Sequence, residues 1–88
     1  MELTIFNTYV LMKSQEQCDR MKQLCIDNDL PIWQSELAFE LLLDEIYFNF
    51  VKGSREFYVS SNIQNKTQVT EQEFIKLLNK HNETSKTK

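Results

Sequence analysis

Apolar and polar residues alternate along this chain in two rhythms, and each predicts a different element. From Ile46 to Ser60 the period is two: Ile46, Phe48 and Phe50 alternate with Tyr47, Asn49 and Val51, and Phe57 and Val59 alternate with Glu56, Tyr58 and Ser60. That is the pattern of strands with unequal faces, so Glu45 to Ser60 predicts a hairpin turning at Lys52-Gly53-Ser54. Gly53 is the only glycine, and it is expected there at positive φ, which glycine adopts without strain. Leu3 to Met12 predicts another strand, with Leu3, Ile5, Tyr9 and Leu11 on one face and Phe6, Thr8, Val10 and Met12 on the other. Apolar residues on both faces suit a central strand, either covered twice or met by a partner on its second face.

The other rhythm is helical. Ser14 and Gln17 form a capping signature ahead of Cys18, Met21, Leu24 and Cys25, which share one stripe. Asp27-Asn28-Asp29 ends that helix and Pro31 prevents its continuation. Thr70 and Glu73 open a second helix, with Val69 placed to staple against Phe74, and Phe74, Leu77 and Leu78 facing inward. Asn62 to Gln68 is polar and predicts a surface loop. Past Lys80 nothing remains to bury, so residues 1–80 are expected as one domain and residues 81–88 as a flexible polar tail.

Ser35 to Asp44 carries good helix formers but runs into the hairpin without a turn residue, so it reads as a short helix or an irregular turn. Together these elements predict an α+β fold: a small domain whose short antiparallel sheet, with a central hairpin, packs on two helices. The alternative is one helix from Glu36 to Lys52 capped by Gly53, with Phe39, Leu43, Ile46 and Phe50 in a stripe, which makes the protein an all-α helical bundle.

At 88 residues, such a domain buries only roughly 60 to 65 per cent of the surface its unfolded chain exposes. A core of this size rarely supplies more than about 5 kcal/mol, so a protein partner or a second copy in a homodimer would matter to its stability. Net charge is −3, which disfavours a nucleic-acid module. Its distribution says more. Between Gln23 and Val51 stand Asp27, Asp29, Glu36, Glu40, Asp44 and Glu45, without a single Lys or Arg. That acidic sector either keeps a face solvated or steers the protein to a basic partner.

Catalytic chemistry finds little to work with. Cys18 and Cys25 are seven apart in one helix, about 10 Å along its axis, too far to pair. They read as reduced, buried thiols, and with one histidine, His81, no zinc set is available. No Gly-rich phosphate loop is possible. Neither a cofactor nor a metal is expected, and the protein reads as non-enzymatic. The amino-terminal stretch, acidic at position two and interrupted by Asn7 and Thr8, lacks the pattern of an export signal. With no apolar run of membrane length, a cytoplasmic protein without a membrane partner is expected.

The residues expected to meet a partner are Trp33, Tyr47, Asn49 and Tyr58, as an exposed aromatic and polar face, beside Glu36, Glu40 and Asp44 of the acidic sector. Trp33 itself reads either as an anchor folded over the helix end or the sheet, or as a stacking surface. A nucleic-acid alternative joins Tyr47 and Tyr58 to Lys52 and Arg55 as a single-stranded RNA or DNA platform. A third reading is a protein that sequesters a small nucleotide.

The helix beginning at Ser14, the Leu30-Pro31-Ile32-Trp33 step, the aromatic strands and the closing Val69-Thr70-Glu71-Gln72-Glu73-Phe74-Ile75-Lys76-Leu77-Leu78 together resemble the small α+β accessory proteins encoded in early regions of T-even-type tailed phages. The likeness implies a non-enzymatic early protein that acts in the host cytoplasm by binding and modulating or inhibiting a host factor, including restriction, toxin or other defence components. No site motif accompanies it, so it assigns a role to no residue.

Overall fold

The computed structural model describes residues 2–42, 44–63 and 65–86, with the side chains of residues 85 and 86 left out. Its elements follow as β1 (Thr8–Met12), α1 (Gln15–Asp27), β2 (Ile46–Val51), β3 (Glu56–Ser60), β4 (Thr67–Gln68) and α2 (Glu71–Lys86). This is an α+β fold. The all-α alternative fails because Ile46 to Val51 pairs as a strand with both β1 and β3.

The sheet has the order β3-β2-β1-β4. β1 with β2 and β2 with β3 are antiparallel, but β4 lies parallel to β1, so the sheet is mixed and not purely antiparallel. β4 also falls inside the expected surface loop. It is held by Thr67 N–H to the Asn7 carbonyl and Val69 N–H to the Tyr9 carbonyl, at 3.0 and 2.9 Å, pairings between segments about sixty residues apart that no local signal announces.

Phe48 sits opposite Val10 on one side and Val59 on the other, and Phe50 opposite Phe57. Their shared face is the core. There Phe48 meets Phe57 at 5.5 Å and Phe74 of α2 at 5.1 Å, while Cys18, Met21 and Cys25 of α1 are fully buried in the same cluster. Arg20 of α1 clamps Glu71 of α2 with two hydrogen bonds of 3.1 and 3.0 Å, so the helices lie side by side.

Local signals explain where the helices begin. Ser14 Oγ accepts from Gln17 N–H at 3.1 Å, while the Gln17 side chain accepts from Lys13 N–H, one residue earlier than a reciprocal capping box requires. Thr70 and Glu73 close the full box, at 2.9 and 3.0 Å. Asp29 takes the left-handed turn after α1, at φ 56.

Three expectations need correction. The first strand begins at Thr8, because residues 5–7 form a turn fastened by Asn7 Oδ1 accepting from Thr4 N–H at 2.8 Å. Gly53 is not at positive φ; Arg55 is, at φ 59, because the four-residue loop closes through Arg55 N–H to the Val51 carbonyl and puts its left-handed position last. Of the two readings of Ser35 to Asp44 the irregular turn holds, since residues 35–39 form turns, and Ala38 lends its carbonyl to Val59 N–H on the outer edge of β3. Finally, α2 continues through residues 81–86 of the expected tail. His81 packs on Phe6 at 5.5 Å and Asn82 donates to Asn28 at 2.7 Å, partners that come from the other half of the chain.

Candidate functional site: the open face of the sheet

Strand alternation sends Tyr47, Asn49, Tyr58 and Tyr9 to the face opposite the helices. Register then aligns them: Tyr9 is opposite Asn49, Asn49 is opposite Tyr58, and Gln68 lies opposite Tyr9. All three tyrosines of the chain therefore stand on one face. Tyr9 and Tyr47 meet edge to face at 5.0 Å. Trp33, 44% exposed, packs on Tyr58 at 4.9 Å. The position of Trp33 follows from its backbone, whose N–H donates to the Phe57 carbonyl while Phe57 N–H donates to Pro31. Residues 31–38 thereby cover the edge of β3 and carry the indole to the rim of the open face. Trp33 is thus a half-exposed ring tilted against Tyr58 at the edge of the sheet, not a buried core anchor.

Asn49 departs from the expected exposed face. It is fully buried, in register between Tyr9 on β1 and Tyr58 on β3. Its Nδ2 donates to the Tyr47 carbonyl at 3.0 Å, and its Oδ1 is buried with no hydrogen-bond partner among the described residues. A neutral acceptor in that condition costs about 1 to 3 kcal/mol, and few such groups are found in folded proteins.

The two ends of the face differ in charge. Asp44 and Glu45 are exposed immediately before β2. Glu40, half-buried, belongs to the same end because Gln15 ties this segment to the start of α1, donating to the Phe39 carbonyl and accepting from Leu41 N–H at 2.8 and 2.9 Å. Glu36 is exposed beside the β3 edge, and neither ion pair, Arg20–Glu71 or Lys80–Glu2, draws on this segment. Leu37 and Leu42 stand among these acids, 54% and 58% exposed.

Lys52 and Arg55 occupy the opposite end, at the hairpin tip. Five residues of strand, about 17 Å, separate Lys52 from Tyr47, while Arg55 is only three residues from Tyr58, about 10 Å, so of the expected basic and aromatic cluster Tyr47 is the member set apart. Lys66 joins the tip: partial burial pushes its ammonium below the ordinary lysine value, and Lys52 nearby pushes it further.

The thiols are ill-suited to chemistry. Burial pushes Cys25 up to about 12 and raises Cys18 as well, with Asp19 adding to the latter, so both are neutral thiols at physiological pH. Among the described residues no group of three His, Cys, Asp or Glu could hold a metal ion, and no helix is long and apolar enough to cross a membrane. A groove between residues 2–6 and α2, walled by Phe6, Leu77 and His81, offers a volume of about 200 Å³, below the range of about 300 to 1,000 Å³ typical of small-molecule sites, whereas an open depression lined by Leu11, Lys13, Gln17, Val69 and Glu73 reaches about 430 Å³, within it.

Tyr9, Leu37 and Leu42 belong to this surface and were not marked by sequence. Tyr9 shares the alternation phase of Leu11, but only the register sets it beside Asn49. Fold and site together define a small α+β domain with one face of its sheet left open. No protein-family model, curated protein or solved structure matches the chain.

Proposed function

We propose that the protein is a non-enzymatic binding module that modulates or inhibits another protein by laying the open face of its sheet against it. The observation that carries this reading is the gathering of every tyrosine and the single tryptophan on the face opposite the helices. Tyrosine and tryptophan give large contact area at low entropic cost and are enriched where interfaces concentrate their energy. Glu36, Glu40 and Asp44, with Leu37 and Leu42 between them, extend the surface toward a partner that is basic and partly apolar. The resemblance to phage early-region proteins supports a host protein, met in the host cytoplasm, as that partner.

The test is affinity capture from bacterial lysate with the wild-type protein and with Trp33→Ala/Tyr58→Ala. A stoichiometric protein recovered by the first and lost with the second supports the reading. Retention of RNA or a nucleotide with no protein sinks it. Reversing the charges of Glu36, Glu40 and Asp44 should slow association more at low salt than at high, because these groups act through a screened field.

The tip formed by Lys52, Arg55 and Lys66 supports a second reading, a single-stranded nucleic-acid binder. It is the weaker one, since a strand crossing the tyrosines would carry its phosphates toward the acids at the other end. Labelled oligonucleotides at two salt concentrations distinguish the two.

A further inference from the structure

Where β4 stops, the edge of the sheet carries a gap one residue long. Backbone groups two residues apart on a strand aim to the same side, so Leu11 aims its N–H and C=O where Tyr9 does, toward the edge that β4 occupies. At Tyr9 that edge is filled, because the Tyr9 carbonyl accepts from Val69 N–H at 2.9 Å. β4 ends at Gln68, opposite Tyr9, while β1 runs on to Met12. At Lys13 the N–H is taken again, by the Gln17 side chain at 2.7 Å. Leu11, between them, has no backbone partner on that side among the described residues. The depression of about 430 Å³ opens here, and a second of about 360 Å³, reaching Leu42 and Asp44, shares Leu11 and Lys13 with it. On the opposite edge residues 31–38 already cover β3.

We propose that this gap takes up an extended, uncharged segment of a partner protein, which joins the sheet as a short strand antiparallel to β1 at Leu11. A donor and an acceptor side by side on a strand edge select an extended backbone, since main-chain hydrogen bonds hold such a segment and depressions beside it receive its side chains. In antiparallel pairing one residue exchanges both bonds with its opposite number, so a gap one residue long is enough. The depressions favour neither sign of charge, because Lys13 stands with Glu73 in one and with Asp44 in the other. Leu11, Val69 and the exposed Leu42 line them as well, which suits neutral, partly apolar side chains. A second copy of this chain does not fit: with Leu11 laid antiparallel on Leu11, its Lys13 falls at the level of Tyr9, where Gln68 is already paired. The edge is a different surface from the tyrosine face, and the two sites stand or fall separately.

Amide hydrogen exchange followed by NMR reads the gap in the wild-type protein. The free Leu11 amide should exchange faster than those of Val10 and Met12, which aim toward β2. A short peptide of alternating threonine and valine should slow Leu11 exchange at least about fivefold at saturation, the size expected of one added hydrogen bond. Its fully N-methylated counterpart, which cannot donate to the Leu11 carbonyl, should not. Leu11→Pro removes the donor where no ladder bond is lost and should bind the peptide more weakly than Leu11→Ala, whereas Trp33→Ala/Tyr58→Ala should bind it as wild type does. A Leu11 amide already protected in the free protein, exchange unchanged at millimolar peptide, or equal effects of the two peptides would each overturn the strand site. So would loss of the peptide in Trp33→Ala/Tyr58→Ala with Leu11→Pro unaffected, which places it on the tyrosine face. Capture of a lysate partner that needs Trp33 and Tyr58 but not the Leu11 donor leaves the binding-module reading standing and removes the edge from it.

Discussion

Replacing the central asparagine of a sheet by leucine ordinarily looks like damage, yet Asn49→Leu should stabilise the free protein. The substitution removes one hydrogen bond, Nδ2 to the Tyr47 carbonyl at 3.0 Å, with a net contribution of about 0.5 to 1.5 kcal/mol. It also removes the desolvation cost of Oδ1, buried with no partner among the described residues, which is about 1 to 3 kcal/mol. Leucine is close to asparagine in shape and is more favourable at a position that is already fully buried. The balance favours the variant by about 1 kcal/mol, which in a domain of this size raises Tm by about 4 to 8 °C. Thermal unfolding followed by circular dichroism measures it. A fall in Tm would refute the reasoning, because it would mean that Oδ1 is satisfied in the free protein and that the open face holds no unpaired acceptor.

Three further outcomes are expected. Phe48→Ala empties the position where Phe39, Phe57 and Phe74 meet, at 6.0, 5.5 and 5.1 Å; a loss of about 3 to 5 kcal/mol against a total near 5 kcal/mol should leave no cooperative urea transition at 25 °C. Gly53→Ala should raise the urea midpoint, by about 0.4 to 1 kcal/mol in stability, because Gly53 has no positive φ and open space where a Cβ would stand; a drop would place the left-handed residue at Gly53 after all. Lastly, a hydrogen bond from Arg20 holds the Glu71 carboxyl below its ordinary value. Its stabilising contribution is present above the ordinary carboxylate pKa and is lost as pH falls through the depressed one. Arg20→Ala should therefore lower Tm at neutral pH and flatten its decline on acidification; an acid limb identical to wild type would remove this pair from the account.

The hairpin, both helix starts and the end of α1 could be read in the chain because their causes are local. Thr70 and Glu73, or Ser14 and Gln17, lie three residues apart, and the alternation from Ile46 to Ser60 needs no knowledge of what it pairs with. Pro31 stops a helix wherever it stands. The same locality misled at Gly53, since a lone glycine marks a turn without saying which residue of it must be left-handed, and the loop's closing hydrogen bond assigned that to Arg55.

What the sequence by itself determined was therefore the kind of each main element and which residues share a face of the hairpin. The tertiary structure decided how those faces meet. β4 exists only because residues 67–68 find the edge of β1, the last turns of α2 meet Phe6 and Asn28, and Asn49 lies fully buried in register between Tyr9 and Tyr58. Alternation and capping act over two to four neighbouring residues, whereas register is settled by packing and hydrogen bonds between segments tens of residues apart, and no short window of sequence carries that information.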